Sequence, residues 1–208
     1  PVGESVNLDY LNPSRTLHAI EAHRDLVVGI KVRLTAPIQV GENGIEPLLI
    51  ALEVAKAAGL PVMVHIGGAT EPLAAILELL RPGDIVTHCF TSARNGMLDA
   101  EDLAGTLRDA RERGILFGVG HGTANFSYRV MEMVLSEGFW PDTISSDVHS
   151  VNANGPVHSL TSTMSKFLDL GWPFESVVRA VTAAPAHALG RPTGLGALEV
   201  GCSADLAI

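Results

Sequence analysis

Residues 61–90 read PVMVHIGGATEPLAAILELLRPGDIVTHCF, two short apolar runs on either side of a stretch with helical spacing. The runs at 61–66 and 84–90 are rich in Val and Ile, and residues 73–80 place apolar side chains three and four positions apart. Parallel strands covered by helices need apolar residues on both faces and a helical crossover between neighbours. The segment therefore predicts a strand, a helix and a second, parallel strand.

The same alternation continues on both sides of this segment. Further strands are predicted at 26–34, 115–119 and 143–147. Helices are predicted at 45–58, 73–80, 100–113, 128–136, 160–170 and 174–184. A strand followed by a helix, repeated roughly every 25 to 35 residues, indicates βαβ units.

An open doubly wound sheet would show the same alternation as a barrel, so the polar residues must decide between them. A nucleotide-binding sheet carries a Gly-rich phosphate turn after its first strand. Gly120-His121-Gly122 lacks the third glycine and the position that such a turn requires. In a (β/α)8 barrel the chemistry lies instead at the carboxyl ends of several strands. We therefore predict the α/β class and part of a TIM barrel.

The composition limits the classes of function. The 208 residues are 47% hydrophobic, and 23 acidic against 14 basic side chains give a net charge of -9, which makes a nucleic-acid partner unexpected. No apolar run approaches the roughly 18 residues of a membrane span, so no membrane partner is expected. Two cysteines favour a reduced, cytoplasmic location over a disulfide scaffold. The expected partner is a small-molecule substrate, and a homo-oligomer is compatible with the sequence.

Each predicted strand ends in an ionisable residue. These residues are Lys31, His65, His88, His121 and Asp147. One histidine at a strand end is more often a structural residue than a ligand. However, parallel strands bring their carboxyl ends to one mouth, and imidazoles gathered with a carboxylate are good zinc ligands. The pattern therefore predicts a metal site with a position left open for water.

This pattern resembles the amidohydrolase superfamily of metal-dependent hydrolases, in its dihydroorotase-like and deacetylase-like branch. In that family the fourth strand provides a carboxylated lysine, the fifth and sixth each provide a histidine, and the eighth provides an aspartate. Lys31, His65, His88 and Asp147 match this order. The resemblance implies that these four bind the metal, with two zinc ions per active site in the full-length protein. It also implies a lysine carbamate formed with carbon dioxide, and Asp147 as the catalytic base.

The C-terminal end of the chain adds to the resemblance, whereas the N-terminal end departs from it. Residues 183–186, 190, 194–196 and 201–206 resemble the return from the family's barrel to a small β-sandwich. We therefore expect a barrel at 1–190 and a return segment at 191–208, with the start of a C-terminal sandwich strand. The family's His-x-His pair of the first strand is missing, because no two of the eight histidines are two residues apart. The expected barrel is therefore partial, from about strand three or four to strand eight, with residues 1–25 covering the end of the third strand and its helix.

Five further residues are candidates for contacting the substrate. Glycines beside His121 would let backbone N–H groups approach an anion, which makes Gly120, His121 and Gly122 candidates. His149 would support the site or act as a plain loop residue. Arg33 shares a strand face with Lys31 and would bind a carboxylate, support the carbamate or form a structural ion pair.

The expected function is hydrolysis of an amide or ester bond by a metal-activated hydroxide. Family likeness favours N-acyl amino acids, acetylated hydroxy acids or cyclic amides as substrates. A non-catalytic scaffold with the same barrel is the alternative from another class, and a mononuclear deaminase of the superfamily is the third reading. The lysine on the fourth strand argues against the deaminase.

Overall fold

The computed structural model describes residues 3–191 and 193–206. Four strands alternate with helices along the chain, as the sequence predicts. The strands are β1 (Ile30–Arg33), β2 (Val62–His65), β3 (Ile85–Thr87) and β4 (Leu116–Gly118). The helices are α1 (Pro13–Ala22), α2 (Glu46–Ala58), α3 (Leu73–Leu79), α4 (Leu103–Glu112), α5 (Tyr128–Ser136), α6 (Leu160–Asp169), α7 (Phe174–Val181) and α8 (Ala183–Ala188). Short 3-10 helices occupy Leu8–Tyr10 and Met97–Asp99.

The strands form one parallel sheet in the order β1-β2-β3-β4. Each strand pairs with the next along the chain, and the register places Arg33 opposite His65 and His65 opposite Thr87. Consecutive parallel strands joined by helices are the βαβ arrangement expected from the sequence. All the carboxyl ends consequently lie at one edge of the sheet.

The fifth predicted strand, at 143–147, is wrong as a full strand. Thr143 makes one parallel bridge to Gly118, and the segment then runs beside the residues after β4. The N–H groups of Val119 and His121 donate to the carbonyl groups of Thr143 and Ser145, both at 3.0 Å. The segment is extended and bound to its neighbour, but Gly120 and Asp147 have positive φ and interrupt the regular ladder.

The helices cover one face of the sheet and bury a single main core. Side chains from successive helices, such as Leu48, Ile76 and Leu107, are almost fully buried against Val64 and Phe117 of the strands. Each large apolar side chain buried in this way contributes about 1.5–3 kcal/mol. On β1 and β2 the burial alternates, so the other face of these two strands is open to a cavity. The prediction of apolar residues on both faces is therefore wrong for β1 and β2.

Most helix boundaries agree with the sequence to within a few residues. Helix α2 ends at Gly59, whose left-handed backbone lets its N–H bond to the carbonyl groups of Ala55 and Lys56. Helix α4 begins later than predicted, because the carboxylate of Asp102 caps it by accepting from Gly105 N–H at 3.0 Å. The single helix predicted at 174–184 is divided at Thr182 into α7 and α8.

The terminal segments contain less regular structure than expected. Residues 3–25 contain helix α1 but no part of a strand. Residues 204–206 also lie outside any strand, and Ala207 and Ile208 of the expected strand lie outside the described residues. The boundary at residue 190 stays a prediction. Among the helices in the described ranges, none has the length and apolar character needed to cross a membrane.

Candidate active site at the carboxyl ends of the strands

A cavity of about 480 Å³ lies at the carboxyl edge of the sheet. The four residues predicted to bind metal, Lys31, His65, His88 and Asp147, all line it. Arg33, Gly120 and His149 line it too, together with Gln39, Met63, Thr87, Asn125 and Ser145. Larger cavities occur elsewhere on the chain, but the predicted residues meet in this one.

The two histidines are held close together as neutral imidazoles. Their ring centroids are 4.1 Å apart. Burial lowers the pKa of His65 to about 3, and the neighbouring His88, Lys31 and Arg33 act in the same direction. Burial also lowers the pKa of His88, although its bond to the carbonyl of Gly120 opposes the shift. Neutral imidazole nitrogens carry lone pairs, so both rings have the protonation state that a metal ligand requires.

The orientation of the His88 ring follows from one hydrogen bond. Its Nδ1 is 2.6 Å from the carbonyl oxygen of Gly120. A carbonyl only accepts, so Nδ1 carries the proton and Nε2 keeps the free lone pair. A ligand histidine that donates its other N–H to a carbonyl is the usual arrangement in metal sites.

Lys31 has an amine of unusually low basicity. Partial burial, assisted by the charge of Arg33, lowers the pKa of Lys31 to about 8, against the opposing effect of Asp147 and Glu4. About a tenth of the amine is then neutral at pH 7, far more than for a solvated lysine. A neutral amine is the form that can react with carbon dioxide.

The backbone is strained at two of these positions. His88 and Asp147 have φ values of 66° and 50°, in the left-handed region that non-glycine residues rarely adopt. Such residues cost about 1–3 kcal/mol each and cluster at functional sites. Asn152, which is fully buried, helps to hold the loop after Asp147, because its amide donates to the carbonyl of Asp147 at 3.0 Å.

The turn at residues 120–122 contacts both a predicted ligand and the predicted base. Gly120 lies against the ring of His88, and a Cβ there would come 2.8 Å from Nδ1. A Cβ on Gly122 would come 2.7 Å from Oδ2 of Asp147. The glycines therefore allow close packing against site residues, whereas the sequence suggested that they exposed backbone N–H groups to an anion.

The other candidates divide between the cavity and its surroundings. His121 is 2% exposed and is not among the cavity-lining residues; its ring meets Lys166 instead. His149 lines the cavity, and its N–H donates to the side-chain oxygen of Asn152 at 2.7 Å. Arg33 lines the cavity and also pairs with Glu4 at 3.2 Å. The ion pair predicted for Arg33 is therefore present, and its role in binding substrate stays a prediction.

Sequence reasoning missed Gln39, Asn125, Ser145 and Asn152. The first three line the cavity, and the fourth binds the backbone of Asp147 and of His149. The first two lie in loops with no motif around them. Ser145 precedes Asp147 by two residues, so the period of two along the predicted strand was the one available signal.

The donor set fits a metal ion in its chemistry. His65 and His88 supply two neutral imidazoles, and Asp147 supplies a carboxylate in the same cavity. Within residues 3–191 and 193–206, no three side chains of His, Cys, Asp or Glu are grouped tightly enough to hold a metal ion. Lys31 also lines the cavity, and as a carbamate it would add anionic oxygens to this donor set.

Comparison with known proteins identifies related chains. The sequence model of the amidohydrolase family matches residues 13–208. A deacetylase of Enterococcus faecalis is 38% identical over 99% of this chain and 56% of its own length. A deacetylase of Brucella anthropi is 36% identical over 100% of this chain and 51% of its own length. The chain thus spans about half the length of the curated relatives it matches.

Solved structures give the same picture. A crystal structure described as an adenine deaminase has 37% sequence identity and a TM-score of 0.90, covering 97% of this chain and 55% of that chain. One described as a dihydroorotase has 36% identity and a TM-score of 0.85, covering 91% of this chain and 52% of that chain. These neighbours are TIM-barrel amidohydrolases, which confirms the prediction of a partial (β/α) barrel.

Proposed function

The chain belongs to the amidohydrolase family, and on that premise we propose that the protein hydrolyses an amide or ester bond of a small acylated substrate at a metal centre. The observation that carries the proposal is the common cavity of Lys31, His65, His88 and Asp147. The deacetylase names of the relatives support removal of an acyl group.

His65, His88, Asp147 and a carbamate of Lys31 would hold the metal, with zinc as the expected ion. The neutral amine of Lys31 adds to carbon dioxide and loses a proton, so an anion replaces a cation in the cavity. A divalent metal bound there would polarise the substrate carbonyl and lower the pKa of a water molecule. The Gly120 carbonyl keeps His88 in the tautomer with Nε2 unprotonated.

Asp147 would act as the general base. Within the described residues its carboxylate accepts no hydrogen bond, while its backbone carbonyl is held by Asn152. The carboxylate can therefore take a proton from the attacking water and return it to the leaving nitrogen or oxygen. Proton transfer by a positioned side chain contributes about 10²–10⁴-fold in rate.

Arg33 favours a substrate that carries a carboxylate. Its side chain is 45% exposed in the cavity, and its partner Glu4 is a carboxylate that a substrate could displace. A guanidinium binds a carboxylate through two parallel hydrogen bonds. Acylated amino acids and acylated hydroxy acids, two of the three substrate classes expected from the family, contain this group.

The second candidate is deamination, because the adenine deaminase structure has the TM-score of 0.90. The two reactions leave different products: deamination releases ammonia from the substrate, whereas deacylation releases a carboxylic acid. A non-catalytic barrel is the third possibility.

The thiols of Cys89 and Cys202 are free, which agrees with the cytoplasmic location that we propose for the enzyme.

The first experiment tests the metal centre in the full-length protein. We expect metal analysis to find about two zinc ions per chain, and reloading of chelator-stripped protein to require bicarbonate. Lys31→Ala should lose the metal and the activity. Lys56→Ala is the matched control, because Lys56 is an exposed lysine on α2. A metal-free wild-type protein, or a Lys31→Ala variant that keeps full metal content, would overturn the proposed centre.

The second experiment identifies the bond. Zinc-loaded protein is assayed with N-acetyl amino acids, the matching O-acetyl hydroxy acids, cyclic amides and adenine. Acetate release from the carboxylate-bearing compounds is the expected result, and Arg33→Met should raise KM for them. Ammonia release from adenine would instead establish the deaminase, and turnover of none of these classes would favour the non-catalytic barrel.

A further inference from the structure

The turn at residues 120–122 packs against His88 and Asp147, so whatever fixes this turn also affects these two site residues. Its N–H groups at His121 and Gly122 donate to the carbonyl groups of Ser145 and Ser146, both at 3.0 Å. These two bonds tie the turn to the residues immediately before Asp147. The orientation of His88 and of Asp147 therefore depends on the same short turn.

The side chain of His121 is engaged on every side. Its Nδ1 is 2.8 Å from the carbonyl of Gly122, and its Nε2 is 2.5 Å from the amine of Lys166. Its ring stacks on Phe126, with centroids 4.2 Å apart and planes 12° apart. A ring that is buried, stacked and bonded at both nitrogens has no group left for a substrate.

The tautomer of His121 follows from its partners. Burial and the charge of Lys166 lower the pKa of His121, which favours the neutral ring. The carbonyl of Gly122 can only accept, so the single proton lies on Nδ1. Nε2 must then accept, and the amine of Lys166 is its donor. Without Lys166, this nitrogen would be a buried acceptor with no partner, at a substantial cost in free energy.

Lys166 contacts both the 120–122 turn and the loop that follows Asp147. Its amine also donates to the carbonyl of Pro156 at 3.3 Å, in the loop that starts after Asp147. The same amine lies 5.3 Å from the ring centroid of Phe126 and 5.9 Å from that of Tyr128, close enough for cation–π attraction. The next residue on α6, Phe167, is fully buried, so the helix that carries Lys166 is anchored in the core.

We propose that Lys166 is a positioning residue, which through His121 fixes the 120–122 turn and thereby the orientation of His88 and Asp147. We call the contacts of Lys166 with His121 and Pro156 the clamp. The effect of the clamp on catalysis rests on the proposed function, whereas the contacts themselves do not. A displacement of about 1 Å in a reacting group can cost about 100-fold in rate. The clamp would act on turnover, since Lys166 and His121 are outside the set of residues that line the cavity.

The first test measures the clamp without reference to activity. In the full-length protein, Lys166→Met should speed hydrogen exchange of the backbone amides of residues 120–122 and 147–158 by about tenfold or more. The ring ¹⁵N signals of His121 should lose the pattern of protonated Nδ1 and accepting Nε2. Lys166→Arg keeps a donor and should retain both properties, and Lys56→Met is the surface control. Unchanged exchange and an unchanged tautomer in Lys166→Met would overturn the proposal.

The second test measures the consequence for catalysis. In zinc-saturated protein, Lys166→Met should lower kcat by about 10- to 100-fold with KM nearly unchanged, and Lys166→Arg should recover most of the loss. His121→Phe keeps the stacking and removes both nitrogens, so it breaks the same contact as Lys166→Met. The variant that combines the two changes should therefore have a kcat no lower than that of the slower single variant. Additive losses would contradict a shared clamp. A clamp confirmed by exchange in a protein without hydrolase activity would refute the proposed function alone, and normal kcat in Lys166→Met would refute the positioning role alone.

Discussion

Two aspartates at opposite ends of the parallel sheet have opposite surroundings. Asp84, at the entry to β3, is fully buried, and both of its oxygens accept hydrogen bonds. The donors are the backbone N–H groups of Val62 and Arg81 and the guanidinium of Arg81, at 2.7 to 3.0 Å. Asp147, at the other edge, is exposed to the cavity, and no donor within the described residues reaches its carboxylate.

This difference separates a structural carboxylate from a reactive one. A buried charge that is fully hydrogen-bonded keeps one geometry and has no capacity left for another molecule. An unpaired carboxylate on strained backbone is poor for stability and suited to accept a proton from a ligand. Arg81 and Asp84 thus join the starting ends of neighbouring strands, while Asp147 is left for chemistry.

The largest effect on activity is expected for Asp147→Asn. The amide keeps the shape but cannot accept a proton, so kcat should fall by about 10²–10⁴-fold. The melting temperature of the metal-free protein should stay within a few degrees of the wild type, because no hydrogen bond to the carboxylate is lost. Steady-state kinetics of the zinc-loaded protein and thermal unfolding of the metal-free protein measure the two quantities. Wild-type kcat in this variant would remove Asp147 from the mechanism.

The reverse result is expected for Asp84→Ala. Removing the buried carboxylate leaves the N–H groups of Val62 and Arg81 and the partly exposed guanidinium of Arg81 without this acceptor, at a cost of about 3 kcal/mol in unfolding free energy. The kcat per folded molecule should stay unchanged, since Asp84 lies at the edge away from the cavity. Denaturant unfolding and active-site titration give the two numbers. A kcat per folded molecule that falls together with the free energy of unfolding would contradict a purely structural role of Asp84.

A smaller effect is expected from Gly122→Ala, for which Gly59→Ala is the matched control. Both glycines have left-handed backbone, with φ of 56° and 66°, so both substitutions should cost about 1–2 kcal/mol in stability. A Cβ at Gly59 meets nothing within 4 Å, whereas one at Gly122 meets Oδ2 of Asp147 at 2.7 Å. Only Gly122→Ala should therefore lower kcat, by about tenfold or more. Equal kcat in the two variants would show that the turn does not position Asp147.

Local sequence patterns predicted much of the fold and of the cavity. Two strands, Val62–His65 and Ile85–Thr87, and the helix between them are confirmed, because period and composition suffice to locate buried elements; the second strand ends at Thr87 and not at Phe90. The family resemblance is also confirmed, and Lys31, His65, His88 and Asp147 meet in one cavity. Their roles as metal ligands stay a prediction.

The failures have a common physical cause. The run at 143–147 is extended and bonded to the residues after β4, which are remote in sequence, but the positive φ of Gly120 and Asp147 interrupts a regular ladder. The sequence placed His121 at a strand end like the other candidates. Its actual partners, Lys166 and Phe126, depend on how α6 packs in the core, and no local pattern encodes that packing.

The order of strands and helices and the chemical types of the residues at the strand ends were determined by the sequence alone, because hydrophobic period and residue identity are local properties. The tertiary structure decided which of those residues share a cavity, which nitrogen of each histidine carries the proton, and which aspartate is left without partners. Those properties depend on hydrogen bonds and burial between segments far apart in the chain, such as Gly120 with His88 and Lys166 with His121.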